Sequence, residues 1–139
     1  MNKIILCAGH GYRFSKQGIK QPKPLFQINN FPLLWWSAKS AIKSFKVKNL
    51  YFAVLNKHVD EFGIDQEILK YFPSAKIIII KEVTKGAAET AFLASSFIDN
   101  KEPISFMDCD FFFYSNKIDL SKLNNNQYYI FTFKSSNPN

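Results

Sequence analysis

Short apolar blocks recur along the chain and predict the strands of a β-sheet. They occupy residues 4–8, 50–55, 75–80, 103–107 and 128–133. Strands that are buried on both faces are apolar at successive positions rather than at alternate ones. The blocks therefore indicate a sheet that is covered on both sides.

Stretches with the apolar spacing of helices lie between these blocks. They predict helices at residues 32–45, 60–71 and 86–97. Pro32 suits the first turn of the first of these helices. Residues 9–21 show no periodicity and are predicted to form a loop. Pro22 and Pro24 are expected to keep the next segment extended.

Strands that alternate with helices predict an α/β fold with a Rossmann-like, doubly wound and mostly parallel sheet. The length of residues 1–139 suits one domain. In such sheets ligands bind beyond the carboxyl ends of the strands. Residues 9–23 and 108–110 follow the first and the fourth predicted strand. We therefore expect these two segments to share one crevice.

Composition narrows the class of protein. The net charge of +7 comes almost entirely from lysines, which form no block of like charge. An ordinary Lys-rich composition is the favoured explanation, with phosphorylated ligands as the alternative, and we expect neither a nucleic-acid nor a membrane partner. Cys7 and Cys109 lack CxxC spacing, which argues for a reducing compartment and against a zinc site. Without a signal peptide or a long apolar stretch, a soluble cytoplasmic protein is expected.

The glycines after the first strand suit an anionic ligand. Gly9 and Gly11 lack Cβ atoms, so that backbone amides can approach phosphate oxygens closely. Arg13 offers a bidentate donor, and Lys23, within a Pro-Lys-Pro-Leu sequence, offers an ammonium group. The alternative is an ordinary tight turn. A dinucleotide fingerprint is disfavoured because Phe14 stands where its third glycine would be, and the P-loop pattern is absent.

Two further segments carry candidate chemistry. Asp108 and Asp110 follow the fourth strand and suit Mg²⁺, which prefers hard oxygen ligands. Their side chains would point the same way if the strand continued. The alternative is a solvated strand end, although the neighbouring phenylalanines make an unpaired charge costly. Gly86 and Ala87 open the third helix with small residues that admit a planar ligand, or that merely pack the helix closely on the sheet.

These motifs together resemble the signature of the sugar-phosphate nucleotidyltransferases (nucleoside-diphosphate-sugar pyrophosphorylases), including the choline-phosphate cytidylyltransferase type of bacterial surface-polysaccharide pathways. The resemblance rests on the Leu-Cys-Ala-Gly-His-Gly-Tyr-Arg-Phe sequence of residues 6–14 and on residues 22–25. It implies an Mg²⁺-dependent enzyme that transfers NMP from an NTP to a phosphorylated sugar or other small phosphorylated metabolite and releases pyrophosphate, in capsule or lipooligosaccharide biosynthesis. Cys7 departs from the usual Ala or Gly.

The resemblance also implies a role for each candidate residue. Arg13 and Lys23 are the catalytic candidates, because they would neutralise the triphosphate. Asp110 would be the primary Mg²⁺ ligand and Asp108 the secondary one. The nucleotide-binding candidates are Leu6, Ala8, Gly9, His10, Gly11, Gly86 and Ala87.

The identity of the substrates stays open at this point. CTP or UTP/dTTP is favoured, but near Lys81 the chain lacks the Gln that is common in thymidylyl- and uridylyltransferases. Family members continue through an acceptor-binding region, so residues 1–139 are expected to be the nucleotide-binding, N-terminal part of the domain. A homo-oligomer is compatible with the sequence. The alternative function is a truncated or degenerate, non-catalytic nucleotide-binding module.

Overall fold

The computed structural model describes residues 1–9, 11–99, 102–115, 127–130 and 132. The elements in these ranges follow one another along the chain as strands, helices and one 3₁₀ turn. They are β1 (Asn2–Cys7), α1 (Tyr12–Lys16), the 3₁₀ turn (Lys23–Leu25), β2 (Gln27–Ile28), β3 (Phe31–Pro32), α2 (Leu33–Ser44), β4 (Asn49–Leu55), α3 (Asn56–Phe62), α4 (Ile64–Tyr71), β5 (Lys76–Ile80), α5 (Ala87–Ser95) and β6 (Ile104–Asp108).

Four strands form a parallel sheet in the order β5-β4-β1-β6. Within it, Leu6 of β1 is in register with Ala53 of β4 on one side and with Asp108 of β6 on the other. The chain first adds strands on one side of β1 and then crosses to the other side. This reversal opens a crevice beyond the carboxyl ends of β1 and β6, where ligands of such folds bind.

Helices cover both faces of this sheet. Residues of α2 and α4 pack with Ile5 and Phe52 into one core, whereas Ala94 of α5 packs with Ile4 and Ala53 into the other. Ile4 and Ile5 are neighbours in β1 and point into opposite cores, as the period of a strand requires. The predicted doubly wound, parallel α/β fold is confirmed.

Three local predictions are wrong. Residues 9–21 are not entirely loop, because Tyr12–Lys16 forms α1. Lys23–Leu25 is not extended but forms a 3₁₀ turn, which a proline near its start favours. Residues 60–71 do not form one helix, because Gly63 adopts the left-handed conformation at φ 58° and separates α3 from α4. The short antiparallel hairpin of β2 and β3 was not predicted from the sequence.

The predicted fifth strand at residues 128–133 is not seen where the chain is described. Residues 128–130 and Thr132 belong to no strand, and residues 131 and 133 lie outside the described residues. Among the helices of the described ranges, none combines the length and the apolar character that crossing a membrane requires.

Candidate functional site

The two segments that carry most of the candidate site residues, 9–23 and 108–110, meet at the crevice between β1 and β6. The Lys23 ammonium group forms a hydrogen-bonded ion pair with the carboxylate of Asp110. The side chains are 26% and 39% exposed, so solvent and a ligand can reach both. The expected contact between the two segments is therefore present, although Lys23 and Asp110 line separate clefts.

The 3₁₀ turn determines where Lys23 lies. Pro22 and Pro24 flank Lys23 and are buried, and their rings restrict the backbone on either side of the lysine. The N–H of Leu25 donates to the carbonyl oxygen of Pro22 at 2.9 Å, and the Gln21 side chain donates to the carbonyl oxygen of Leu25 at 3.1 Å. Lys23 therefore extends from a fixed backbone, while its side chain can exchange partners.

The loop that contains Gly9 and Gly11, here called the glycine loop, packs beside this turn. Gly11 has φ +64°, in the left-handed region that favours glycine, and its carbonyl oxygen accepts the N–H groups of Phe14 and Ser15 at 2.8 and 3.1 Å. A Cβ atom at Gly11 would lie 3.7 Å from Cβ of Lys23. Gly9 is exposed, with no atom within 4 Å of an added Cβ. The loop therefore lies directly against the turn that carries Lys23.

The other predicted site residues near this loop take no part in the Lys23–Asp110 pair. Arg13 is exposed on α1, and its guanidinium group forms no hydrogen bond or ion pair with the residues that the structure describes. Leu6 and Ala8 lie at the end of β1, where Leu6 is partly buried and Ala8 is buried. His10 lies outside the described residues. The structure therefore brings Gly11, Lys23 and Asp110 together, but not Arg13.

The acidic residues lie on a tight turn. β6 ends at Asp108, and the N–H of Phe111 donates back to the Asp108 carbonyl oxygen at 3.3 Å. On one side the N–H of Cys109 donates to the carbonyl oxygen of Leu6 at 3.3 Å. Because the strand does not continue, the two carboxylates are not aligned by strand periodicity. Asp110 instead projects from the turn towards Lys23.

The electrostatics of the turn favour a cation. Burial and the neighbouring Asp110 carboxylate raise the pKa of Asp108, and the Lys23 ammonium opposes this shift. Within the described ranges no three His, Cys, Asp or Glu side chains gather into a group that could hold a metal ion. Mg²⁺ commonly takes one or two carboxylates together with substrate phosphates and waters. The two aspartates therefore fit Mg²⁺ when nucleotide phosphates supply the remaining ligands.

The cysteines beside this turn are buried and free. Burial, a hydrogen bond with Cys109 and the nearby aspartates all raise the pKa of the Cys7 thiol. Cys7 therefore stays protonated at neutral pH, and a nucleophilic role is disfavoured because the reactive form of cysteine is the thiolate.

The glycine-alanine segment lies beyond the carboxyl end of β5. Gly86 and Ala87 are exposed at the start of α5. The Thr84 hydroxyl donates to the Gly86 carbonyl oxygen at 3.0 Å, and the Glu89 carboxylate accepts the N–H of Lys85 at 2.5 Å. β4 lies between β5 and β1. The helix that this segment opens, α5, packs against β1 and β6 as well as β5.

Sequence reasoning missed several residues around the site. His58 lies between a predicted strand and a predicted helix, yet it is buried in α3. It lines a cleft of about 370 Å³ together with Gly11, Lys23 and Lys81. Ser37 was placed only within a helix, yet its hydroxyl bonds the acidic turn. Its one sequence signal is a polar side chain among the apolar positions of α2.

Comparison with known proteins supports the fold. No family model and no curated protein matches the sequence. The inositol-1-phosphate CTP transferase from T. maritima is similar in structure, with a TM-score of 0.66 and 20% identity over 78% of this chain and 43% of that chain. The nucleoside-diphosphate-sugar pyrophosphorylase from Vibrio cholerae RC9 has a TM-score of 0.61 and 25% identity over 81% of this chain and 50% of that chain.

These matches define the class of fold as that of nucleotidyltransferases. The predicted resemblance to the sugar-phosphate nucleotidyltransferases is confirmed at the level of the fold. The chain spans about half the length of the two solved structures.

Proposed function

We propose that this chain binds an NTP together with Mg²⁺ and forms the nucleotide-binding part of a cytoplasmic nucleotidyltransferase. The reaction would transfer NMP to a phosphorylated sugar or other small phosphorylated metabolite and release pyrophosphate. The observation that carries the proposal is the Lys23–Asp110 pair, which lies beside the glycine loop at the crevice between β1 and β6. Similarity to a CTP transferase and to a nucleoside-diphosphate-sugar pyrophosphorylase supports the type of reaction.

The chemistry requires positioning and charge neutralisation more than covalent help from the protein. A phosphate oxygen of the acceptor attacks the α-phosphorus of the NTP in line with the departing pyrophosphate. A phosphate monoester is already anionic near neutral pH, so no general base is needed. Mg²⁺, when bound, neutralises charge on the phosphates.

The residues of the chain have separate roles in this proposal. Lys23 leaves Asp110 for the α-phosphate, and the amides of the glycine loop bind the other phosphate oxygens. Asp110 and Asp108 hold the metal ion. Arg13 has no partner among the described residues that it would have to leave, so its guanidinium can bind the pyrophosphate.

Equilibrium binding of radiolabelled CTP and UTP, with Mg²⁺ and with EDTA, tests the proposal. We expect Mg²⁺ to tighten binding and Asp110→Asn to remove that gain, which is about tenfold or more. Asp60→Asn is the matched control, because Asp60 is exposed on α3 and bonds only Asn56 among the described residues. Absence of nucleotide binding by the wild-type chain would contradict the proposal.

A nucleotide-binding module without turnover is the second candidate. It is favoured by the coverage of the matches, which is 43% and 50% of the two solved structures. Pyrophosphate release with each of the four NTPs and candidate acceptor phosphates distinguishes it from an enzyme. Binding that is equally tight in EDTA and unaffected by Asp110→Asn would favour the module. Expression beside capsule or lipooligosaccharide genes would support a role in surface-polysaccharide biosynthesis.

A further inference from the structure

A buried hydroxyl group connects the helical layer to the acidic turn. Ser37 lies in α2, is 1% exposed, and donates from Oγ to the carbonyl oxygen of Asp108 at 2.8 Å. Serines inside helices commonly bond a carbonyl of the preceding turn of their own helix. Ser40 does so, donating to the carbonyl oxygen of Ser37 at 2.8 Å. The bond of Ser37 instead leaves its helix and reaches the end of β6.

The carbonyl group that Ser37 binds is the first of the turn that presents Asp110. The same oxygen accepts the N–H of Phe111 at 3.3 Å, which closes the turn, and the N–H of Cys109 donates to Leu6 of β1 at 3.3 Å. Among these three hydrogen bonds, that of Ser37 is the shortest. The turn is therefore held by β1 on one side and by α2 on the other.

This attachment becomes more important when a nucleotide binds. In the present structure Lys23 also holds the turn, through its ion pair with Asp110. A bound triphosphate would draw the Lys23 ammonium away, leaving the backbone bonds and the Ser37 hydroxyl to fix the turn. Metal ligands must be held within a fraction of an ångström, and groups that bond a ligand segment from behind commonly control metal affinity.

We infer that Ser37 is a positioning residue that holds the Asp108–Asp110 turn in the geometry for a divalent cation. The inference rests on the proposed function, and it concerns a residue of α2 that touches neither nucleotide nor metal. It adds a contact between a helix and the end of β6 to the site formed by the loops. Its consequence is a specific effect on metal affinity, separate from nucleotide affinity.

The test compares Ser37→Ala with Ser40→Ala, since both remove a hydroxyl group from a buried serine of α2. Mn²⁺ binding in the presence of CTP is measured by electron paramagnetic resonance, and CTP binding in EDTA is measured separately. We expect Ser37→Ala to weaken Mn²⁺ affinity about tenfold. Ser40→Ala should leave it unchanged, and all variants should bind CTP equally in EDTA. Ser37→Thr retains the hydroxyl donor and should restore metal affinity.

Several outcomes would overturn the inference. Equal loss of Mn²⁺ affinity in both alanine variants would show that packing of α2, not the Asp108 bond, is responsible. Wild-type affinity in a folded Ser37→Ala variant would exclude a positioning role. If that variant does not fold, Ser37→Cys has nearly the same volume and only a weak donor, so it should show the same loss. If the wild-type chain binds CTP without any metal dependence, the proposed function fails, and this inference fails with it.

Discussion

The central contact of the site is an ion pair between two residues to which the proposed function gives other roles. Lys23 and Asp110 satisfy one another, yet the proposed function requires the lysine to bind phosphate and the aspartate to bind metal. The pair is partly exposed, and exposed ion pairs contribute only about 0–1 kcal/mol to stability. It can therefore open at little cost when the ligands arrive. A fully buried pair would resist this exchange, because separating it would leave unpaired buried charges.

Asp108 should destabilise the chain when no metal is bound. Its pKa is raised in the folded state, so the folded chain binds more protons than the unfolded chain between the two pKa values. Stability associated with this group is therefore greatest at low pH and is lost as pH rises through the folded-state pKa. We expect Asp108→Asn to unfold a few degrees higher than wild type at pH 7, and this difference to shrink towards pH 4. Thermal unfolding in EDTA at both pH values measures it.

The matched control is Glu61→Gln, which neutralises an exposed acid of α3 that pairs loosely with Lys57 at 3.8 Å. It should change the unfolding temperature little at either pH. A lower unfolding temperature for Asp108→Asn at pH 7 would show that the carboxylate stabilises the turn. The electrostatic interpretation of the site would then be wrong.

Individual residues of the site differ in how far the sequence reveals them. Lys23 and Asp110 could be predicted to meet, because each follows a strand and parallel strands end at the same edge. Ser37 could not, because its partner is a backbone carbonyl 71 residues away and no motif marks such a bond. His58 could not be found either, because no apolar period marks residues 56–59, whereas its side chain is buried in α3.

At the scale of elements, the sequence predicts the strands of the sheet but not the short helix α1 or the break at Gly63. The four strands of the parallel sheet lie within a residue or two of their predicted positions, since each coincides with a mostly apolar block. Helix α1 has only 5 residues and no buried side chain, so it has no apolar period to detect. The division of residues 60–71 depends on the backbone conformation of one glycine. The pattern of apolar residues does not reveal that conformation.

Gly63 should therefore be sensitive to substitution. It has φ +58°, and an added Cβ would meet no atom within 4 Å, so only its left-handed conformation disfavours a side chain. We expect Gly63→Ala to lower the free energy of unfolding by about 1 kcal/mol, as measured by urea denaturation. Gly63→Asn should lose less, because asparagine tolerates this conformation. A neutral Gly63→Ala variant would indicate that α3 and α4 can join into one helix.

At the scale of the whole molecule, strand order creates the site. The alternation of strands and helices predicts a parallel sheet, but it does not reveal that β1 lies between β4 and β6. That order depends on the handedness of the crossovers and on packing across both faces, which are properties of the complete fold. The crevice and the Lys23–Asp110 pair follow once this order is given. The contact between the two segments was therefore predictable, although the strand order that brings them together was not.

Binding at this crevice should stabilise the entire fold, because the ligand contacts join the ends of β1 and β6 through segments far apart in sequence. A ligand present at a hundred times its dissociation constant stabilises the native state by about 2.7 kcal/mol. For a chain of this length that corresponds to a rise in unfolding temperature of about 8 °C. We expect CTP with Mg²⁺ to produce such a shift. EDTA or Asp110→Asn should reduce it to the smaller effect of metal-free nucleotide. An undiminished shift in EDTA would mean that the nucleotide binds without the acidic turn, and the two sides of the crevice would then be independent of one another.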